Sequence, residues 1–243
     1  MSDLMQFYFI RHGQSENNLI WDATGSREGR NPDPGLTETG QRQAEILAQF
    51  LTQTDPAIVV KDRDGQNLAG FGITHLYTSL MVRAVATGTV VARALGLPLV
   101  AWEDLHETGG IYVGDETTGE RVGQPGKNRA YFEAQNPDLV LPDSLGADGW
   151  WNRPFEEREQ RPARAERFLR DLLERHGGKE DRVAVISHGG FYNVLLRTLL
   201  KIQREDSWFA LHNVAITRID FYAEGVDIIY MNRIDFVPKA MVT

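Results

Sequence analysis

Hydrophobic positions along the chain fall into short continuous runs and longer helical stripes, and the two kinds alternate. Phe7-Tyr8-Phe9-Ile10 runs into Arg11-His12-Gly13, and Val183-Ala184-Val185-Ile186 runs into Ser187-His188-Gly189-Gly190. Each is a β-branched or aromatic run followed by a polar residue, His and Gly, the pattern of a strand ending at a tight turn. Residues 73–78 read as another core strand. Helical spacing separates these strands. Thr37 and Glu38 open a helix carrying Ala44, Leu47, Ala48 and Leu51, with Thr37 as N-cap and Glu38 as favourable first-turn charge. Ser79 is expected to cap a second helix through Arg83, Ala84, Val90, Val91 and Leu95, stopped by Gly96 and Pro98. Residues 163–176 put Ala165, Phe168, Leu169, Leu172 and Leu173 inward, with Gly177 as stop. A last helix is expected at 191–200, and residues 216–222 and 227–234 form a terminal strand pair around Glu224-Gly225.

Other stretches are less periodic. Residues 17–35 are polar and rich in Gly and Pro, which predicts a long loop. Residues 57–60 and 68–71, around Asp64-Gly65, suggest a small inserted hairpin. From 109 to about 162 the pattern breaks down, interrupted by Tyr131-Phe132 and Trp150-Trp151. A structureless loop of that length is unusual, so this stretch reads as a cap insertion with short helices. No repeat or composition shift divides the chain, and the expectation is one α/β domain over 1–243 with a mainly parallel sheet.

Composition narrows the partners. The chain has 243 residues, 42% of them hydrophobic and 25% charged, enough for a sizeable core in a soluble globule. A net charge of −8 argues against nucleic acid or an acidic membrane as main partner. There are no cysteines, which excludes disulfides, thiolate catalysis and cysteine-bound metal. Met1-Ser2-Asp3-Leu4-Met5 does not read as a signal peptide, and no run approaches a membrane span. A cytoplasmic protein is expected.

The strand ends carry the candidate chemistry. Parallel α/β sheets collect ligands at the carboxyl ends of their strands. Arg11 and His12 lie at one such end, followed by Gly13, Ser15 and Asn18. Ser79 and Arg83 lie at another, and His188, Gly189 and Gly190 at a third. Helix N-termini favour anions, glycine lets the backbone approach, and Arg offers a planar fork for phosphate or carboxylate. Two histidines about 175 residues apart thereby point to one anion site. Taken singly, His75 reads as structural, Glu156-Glu157-Arg158-Glu159 as a solvated face, Trp150 and Trp151 as cap core, and Asn213 as turn chemistry. No compact His/Asp ligand cluster is visible along the sequence.

Five blocks in order resemble the histidine phosphatase superfamily, the phosphoglycerate mutase-like family. Arg11-His12-Gly13-Gln14-Ser15-Glu16-Asn17-Asn18 is similar to its R-H-G-x-S-x-x-N signature. Leu36 to Ala44, Ser79-Leu80-Met81-Val82-Arg83-Ala84-Val85-Ala86-Thr87, Leu105-His106-Glu107 and Ser187-His188-Gly189-Gly190 resemble its later blocks. The resemblance implies a three-layer αβα sandwich and a phosphoryl-transfer site without metal or cofactor. His12 would be the nucleophile and form a phosphohistidine. Arg11, Arg83 and His188 would hold the equatorial oxygens, with Gly189 and the backbone after His188 assisting. Glu107, preferred over Glu103 and Glu116, would protonate the leaving alkoxide and then activate water. Ser15 and Asn18 would contact phosphate or orient the loop. His106 and His212 are further residues that could approach the site.

The resemblance leaves the acceptor open. Mutases of the family follow the acidic residue with E-R-H-Y-G, where this chain has Glu107-Thr108-Gly109-Gly110-Ile111-Tyr112, and they usually carry Trp where this chain has Asn17. Arg30-Asn31-Pro32-Asp33-Pro34-Gly35-Leu36 looks like the phosphatase branch. Arg121, Lys127 and Arg129 could serve a bisphosphate. The expectation is a phosphatase acting on a small phosphorylated metabolite, with a mutase and a non-catalytic binding module as alternatives. Neither nucleic acid nor a membrane is an expected partner, and a homodimer stays open.

Overall fold

The alternation within the apolar runs decides which layer each side chain enters. In β1 (Met5–Arg11), Tyr8 and Ile10 join one core cluster, while Phe7 and Phe9 join the other. In β7 (Arg182–Ser187), Ala184 and Ile186 take the first cluster, and Val183 and Val185 the second. A strand apolar on both faces needs cover on both. The first face is covered by α2 (Glu38–Leu51) and α3 (Val82–Leu95), through Leu47, Ala48, Ala84, Val85 and Val91. The second is covered by α5 (Arg161–His176) and α6 (Gly189–Leu199), through Ala165, Phe168, Leu172, Phe191 and Leu195. The result is the αβα sandwich expected. The computed structural model describes residues 5–26, 28–60, 63–115, 117–204 and 206–243.

The remaining strands are β2 (His75–Thr78), β3 (Leu99–Ala101), β4 (Tyr112–Gly114), β5 (Arg121–Gly123), β6 (Leu139–Val140), β8 (Ile216–Tyr222) and β9 (Gly225–Arg233). The main sheet runs β6-β3-β2-β7-β1-β8-β9. Its first five strands are parallel; β8 is antiparallel to β1, and β9 to β8. β7 lies between β2 and β1, so the residues after these three strands arrive side by side.

Four local expectations fail for identifiable reasons. Residues 17–35 are not one loop, because α1 (Glu16–Thr24) opens with a reciprocal box between Ser15 and Asn18 and closes at left-handed Gly25. Its sequence hides it: Asn replaces the usual Glu or Gln of the box, and Leu19 and Trp21 are about half exposed, at 51% and 50%. Ser79 does not cap α3. The helix starts at Val82 with Met81 as N-cap, and the Ser79 hydroxyl accepts from the Met81 N–H within the preceding turn. The hairpin around Asp64 is absent among the described residues. The Asp64 carboxylate instead accepts from the Leu68 and Ala69 N–H groups and folds the segment into a turn. Residues 61 and 62, within that predicted hairpin, lie outside the described residues. Glu156 is not part of a solvated face: it is buried in a two-pronged pair with Arg164, Nε–Oε1 2.6 Å and Nη2–Oε2 2.8 Å.

Residues 109–162 divide into two. The β4–β5 hairpin overhangs the carboxyl ends of the central strands, whereas α4 (Arg129–Gln135) leads into β6, which extends the main sheet beside β3. Trp150 and Trp151 are buried between them and the core. Among the described residues no helix is long and apolar enough to cross a membrane.

Candidate active site

The turn after β1 is fixed by close backbone contact. A Cβ at Gly13 would stand 2.4 Å from the Gly40 carbonyl oxygen, and one at Gly40 would stand 2.0 Å from that of Gln14. Only glycine permits this approach, which seats the β1 turn on the first turn of α2. Thr87 and Gln43 complete the seat by accepting from the Gly13 and Gln14 N–H groups. On the other side, Asn213 donates to the His12 carbonyl at 2.9 Å, and the Val214 N–H donates to that of Arg11 at 3.1 Å. Val214 reaches this position at φ +57°, a costly conformation for a β-branched residue.

His12 is thereby held in one tautomer. Its Nδ1 donates to the Gly13 carbonyl at 2.6 Å, and its Nε2 accepts from Arg83 Nε at 3.0 Å. Burial holds its pKa well below the usual histidine range, and the Arg83 and Arg11 charges add to the effect. The ring is therefore neutral at pH 7, with a lone pair on Nε2. His188 sits 5.0 Å away between ring centroids. Its Nε2 meets the Ser79 hydroxyl at 2.9 Å, while its buried Nδ1 has no partner among the described residues. Burial, then Arg83, lowers its pKa far below the ordinary value.

Two arginines face this pair. Arg11 donates through Nη1 to the Leu211 carbonyl at 2.6 Å, and its buried Nε lacks a partner. Arg83 lies 3.8 Å from Asp33, whose other oxygen is buried and unpaired. Burial pushes the Asp33 carboxyl up to about 6 against the pull of Arg83. Buried polar atoms are nearly always paired, so the unpaired Arg11 Nε and His188 Nδ1 are left over for a polar ligand.

Glu107 closes the far side. Its Oε1 accepts from the Thr108 and Phe191 N–H groups at 2.7 and 3.0 Å, and its Oε2 from that of Gly190 at 3.2 Å. The carboxylate thus sits on the first turn of α6, where the helix dipole favours it. A Cβ at Gly190 would stand 2.2 Å from Glu107 Oε1, so any larger residue there would push the carboxylate from this position. Arg11, Arg83, Glu107 and Gly189 line one cleft of about 1200 Å³, together with Asn17 and Tyr112.

The chain matches the sequence model of the histidine phosphatase superfamily (branch 1) over residues 7–61 and 62–234. It belongs to that superfamily. A relative named "Probable phosphoglycerate mutase GpmB" from Yersinia enterocolitica is 25% identical over 227 residues, covering 90% of this chain and 86% of its own. Among solved structures, a mycobacterial glucosyl-3-phosphoglycerate phosphatase matches with a TM-score of 0.60 and 20% identity, over 95% of this chain and 100% of its own. The phosphoserine phosphatase of Entamoeba histolytica, in complex with 3-phosphoglyceric acid, matches with a TM-score of 0.59 and 19% identity, over 96% and 100%. Superfamily members include both phosphatases and mutases.

Within this superfamily member the sequence candidates separate. His12, His188, Arg11, Arg83, Glu107 and Gly189 converge. Ser15 and Asn18 do not line the cleft; they bond to each other, and Asn18 accepts from Asn213 at 3.3 Å. Glu103 turns away to the Ser144 hydroxyl, and Glu116 lies outside the described residues. His106 is buried against Trp151 behind the cleft wall, and His212 bonds to Asn232. Asp33 and Asn213 are residues whose part in the site sequence reasoning missed: Asp33 sat in a presumed loop and Asn213 was assigned to a turn.

Proposed function

We propose that this protein is a metal-independent phosphomonoester hydrolase acting through a phosphohistidine on His12. One observation carries the reading: the neutral, buried His12 ring presents Nε2 at 3.0 Å to Arg83, which lines a cleft together with Arg11 and Glu107. Arg83 Nε occupies the lone pair in the free protein. An arriving phosphate draws the guanidinium onto its oxygens and releases Nε2 for in-line attack. The P–O bond to the alcohol then breaks as the P–N bond forms. Arg11, Arg83 and His188 stabilise the equatorial oxygens. Glu107 relays a proton brought in by the phosphate monoester to the departing alkoxide. As a carboxylate it then takes a proton from the water that attacks phosphorus, which releases phosphate and restores His12.

Water is the favoured acceptor because of the outer cleft. Of the three basic residues available for a bisphosphate, Arg121 lines the cleft. Arg129 donates instead to the Leu145 and Pro142 carbonyls, and Lys127 lies over the Tyr131 ring. Glu28, Asp115 and Glu120 share the outer wall with Arg30 and Arg121, a poor setting for a second phosphate. The second reading is phosphoglycerate mutase-type transfer, favoured by the likeness to the Yersinia relative over 90% of the chain. The substrate in the first reading is a small phosphorylated metabolite. A panel of phosphomonoesters assayed for released phosphate, beside 3-phosphoglycerate with 2,3-bisphosphoglycerate assayed for isomerisation, tests both. Phosphate release lost in His12→Ala and retained in chelator supports the hydrolase. Fast isomerisation with little hydrolysis overturns it in favour of the mutase, and failure to trap an acid-labile phosphohistidine sinks both.

A further inference from the structure

At the amino ends of the central strands, opposite the cleft, three residues that are far apart in sequence come together. His75 is the first residue of β2, His176 the last of α5, and Asp181 immediately precedes β7. β2 and β7 pair in register, His75 opposite Val183, so the topology itself brings the three to one corner. One ligand atom from each lies within 4.8 Å of the others. His176 Nδ1 stands 2.8 Å from Asp181 Oδ2, and His75 Nδ1 stands 3.9 Å from Asp181 Oδ1. The two imidazole centroids are 4.6 Å apart.

We infer that His75, His176 and Asp181 form a binding site for a divalent transition metal, with Zn²⁺ the best match. Two borderline imidazole nitrogens and one carboxylate oxygen are a donor set that zinc takes, at about 2.0–2.2 Å each. Those bond lengths place tetrahedral ligand atoms roughly 3.3–3.6 Å apart. His176 and His75 approach different Asp181 oxygens, at 2.8 and 3.9 Å, and one ligand atom from each residue lies within 4.8 Å of the others, so rotation of the carboxylate and rings brings the set to that range. His75 is 41% exposed and Asp181 22%, which lets an ion enter and leaves water to complete the shell.

Tyr77 supports the assignment from behind. It lies two residues after His75 on β2, and its hydroxyl meets His176 Nε2 at 3.0 Å. A metal-bound histidine almost always donates its other ring N–H to such a partner, which fixes the ring and raises its basicity. His176 offers Nδ1, now 2.8 Å from Asp181, to the ion in the tautomer that protonates Nε2. The proton then lies on Nε2 and is donated to the Tyr77 oxygen. Thr74 Oγ1 lies 2.9 Å from His75 Nδ1 and hands over that contact when the metal binds. Lys179 acts on His176 and Arg175 on Tyr77 as nearby positive charges, which favours a moderate affinity.

The corner is about 20 Å from His12 and His188, the length of β7. The ion therefore ties β2 to the α5–β7 turn and takes no part in phosphoryl transfer. The test titrates Co²⁺, and separately Zn²⁺, into the full chain at pH 7.5. Expected are one equivalent bound, Co²⁺ visible bands of a four- or five-coordinate ion, and a thermal midpoint raised by several °C with excess Zn²⁺. Tyr77→Phe should weaken binding about 10–100-fold, and His75→Ala should abolish it while leaving the metal-free midpoint nearly unchanged. His12→Ala should bind as the wild type does. No saturable binding up to millimolar metal, or binding that survives both His75→Ala and Asp181→Asn, overturns the site. Chelation that lowers the midpoint without slowing phosphate release supports both this site and the hydrolase; a rate that falls with chelation counts against the metal-independent mechanism alone.

Discussion

Arg83 and Arg218 are both buried, and they are solved in opposite ways. Arg218, 1% exposed, makes a two-pronged pair with Asp220 at 2.8 and 2.9 Å and donates through Nη1 to the Asp64 carbonyl and Asn67. Its bonds to Asp220 carry its pKa upward despite burial. Arg164 with Glu156 repeats the pattern behind the cleft. Among the described residues Arg83 has a carboxylate at 3.8 Å and a histidine nitrogen as its partners, and burial lowers its pKa. Around it lie the unpaired atoms of Arg11, His188 and Asp33. The fold can satisfy a buried guanidinium fully, so incomplete pairing at Arg83 is a property of that place. Full pairing serves stability, whereas loose pairing leaves donors free to close on an anion.

The sharpest way to break this contrast is to replace each arginine by Met. Arg83→Met should lower kcat/KM for phosphate release by about 10³-fold or more and leave the unfolding free energy nearly unchanged. Arg218→Met should do the reverse. It leaves Asp220 with Arg63 as its remaining partner, so a loss of about 3–5 kcal/mol in denaturant unfolding is expected, at the lower end because Arg63 stays. The folded fraction should keep its rate. Similar stability losses in both variants would show that the two arginines do the same work.

Acid should strike the two regions unequally. Burial holds His12, His106 and His188 well below the usual histidine range. Their stabilising contribution is complete above the unfolded value of about 6.5 and is lost as pH falls below it, because the unfolded chain then binds protons that the folded chain refuses. Each contributes a slope of up to about 1.4 kcal/mol per pH unit, together about 4. A thermal midpoint lower by about 10 °C at pH 5.5 than at pH 7.5 is expected, and His188→Asn should remove about a third of that slope. A flat profile would show that these rings accept protons within the fold.

The sequence disclosed this molecule where a residue's partners lie close along the chain or where period alone decides. The runs around Phe7 and Val183 are apolar on both faces, so covered parallel strands follow, and their ends locate His12 and His188. Thr37 and Gly96 cap their helices within a turn, and both were legible. Asn213 was not, because the carbonyl it holds belongs to His12, 201 residues away. Asp33 and Arg83 are likewise joined only through the fold, and the Glu156–Arg164 pair depends on burial that composition conceals. The His75, His176 and Asp181 corner was invisible for the same reason. Periodicity reports backbone and layer, but pairing of buried charges is decided by topology.

Filling the site should erase part of the difference between the two arginines. Phosphate or vanadate that binds the folded chain stabilises it by about 2.7 kcal/mol at a hundredfold excess over Kd, a rise of roughly 5–10 °C in thermal midpoint. Arg83→Met should lose most of that rise, and a fully paired control such as Asp220→Asn, though less stable, should keep it. An equal rise in Arg83→Met would place the anion elsewhere.

The smallest expected effect separates stability from activity at a single carboxyl. The Asp33 pKa is raised from 3.8 to about 6 by burial. Its protonated form is therefore the one the fold prefers, and the benefit of that preference, full at low pH, is lost as pH rises through 6. At pH 8 the shift corresponds to roughly 3 kcal/mol against the folded state. Asp33→Asn removes that charge but sets an amide beside Arg83, so a net gain of about 1–2 kcal/mol at pH 8 is expected, fading toward pH 4. The same change frees Arg83 from the Asp33 carboxylate 3.8 Å away. Phosphate release should then slow several-fold. A variant that is both less stable at pH 8 and unchanged in rate would mean that Asp33 is a structural anchor like Asp220. A variant more stable and slower would show that the loose pairing of Arg83 is kept at a cost to the fold.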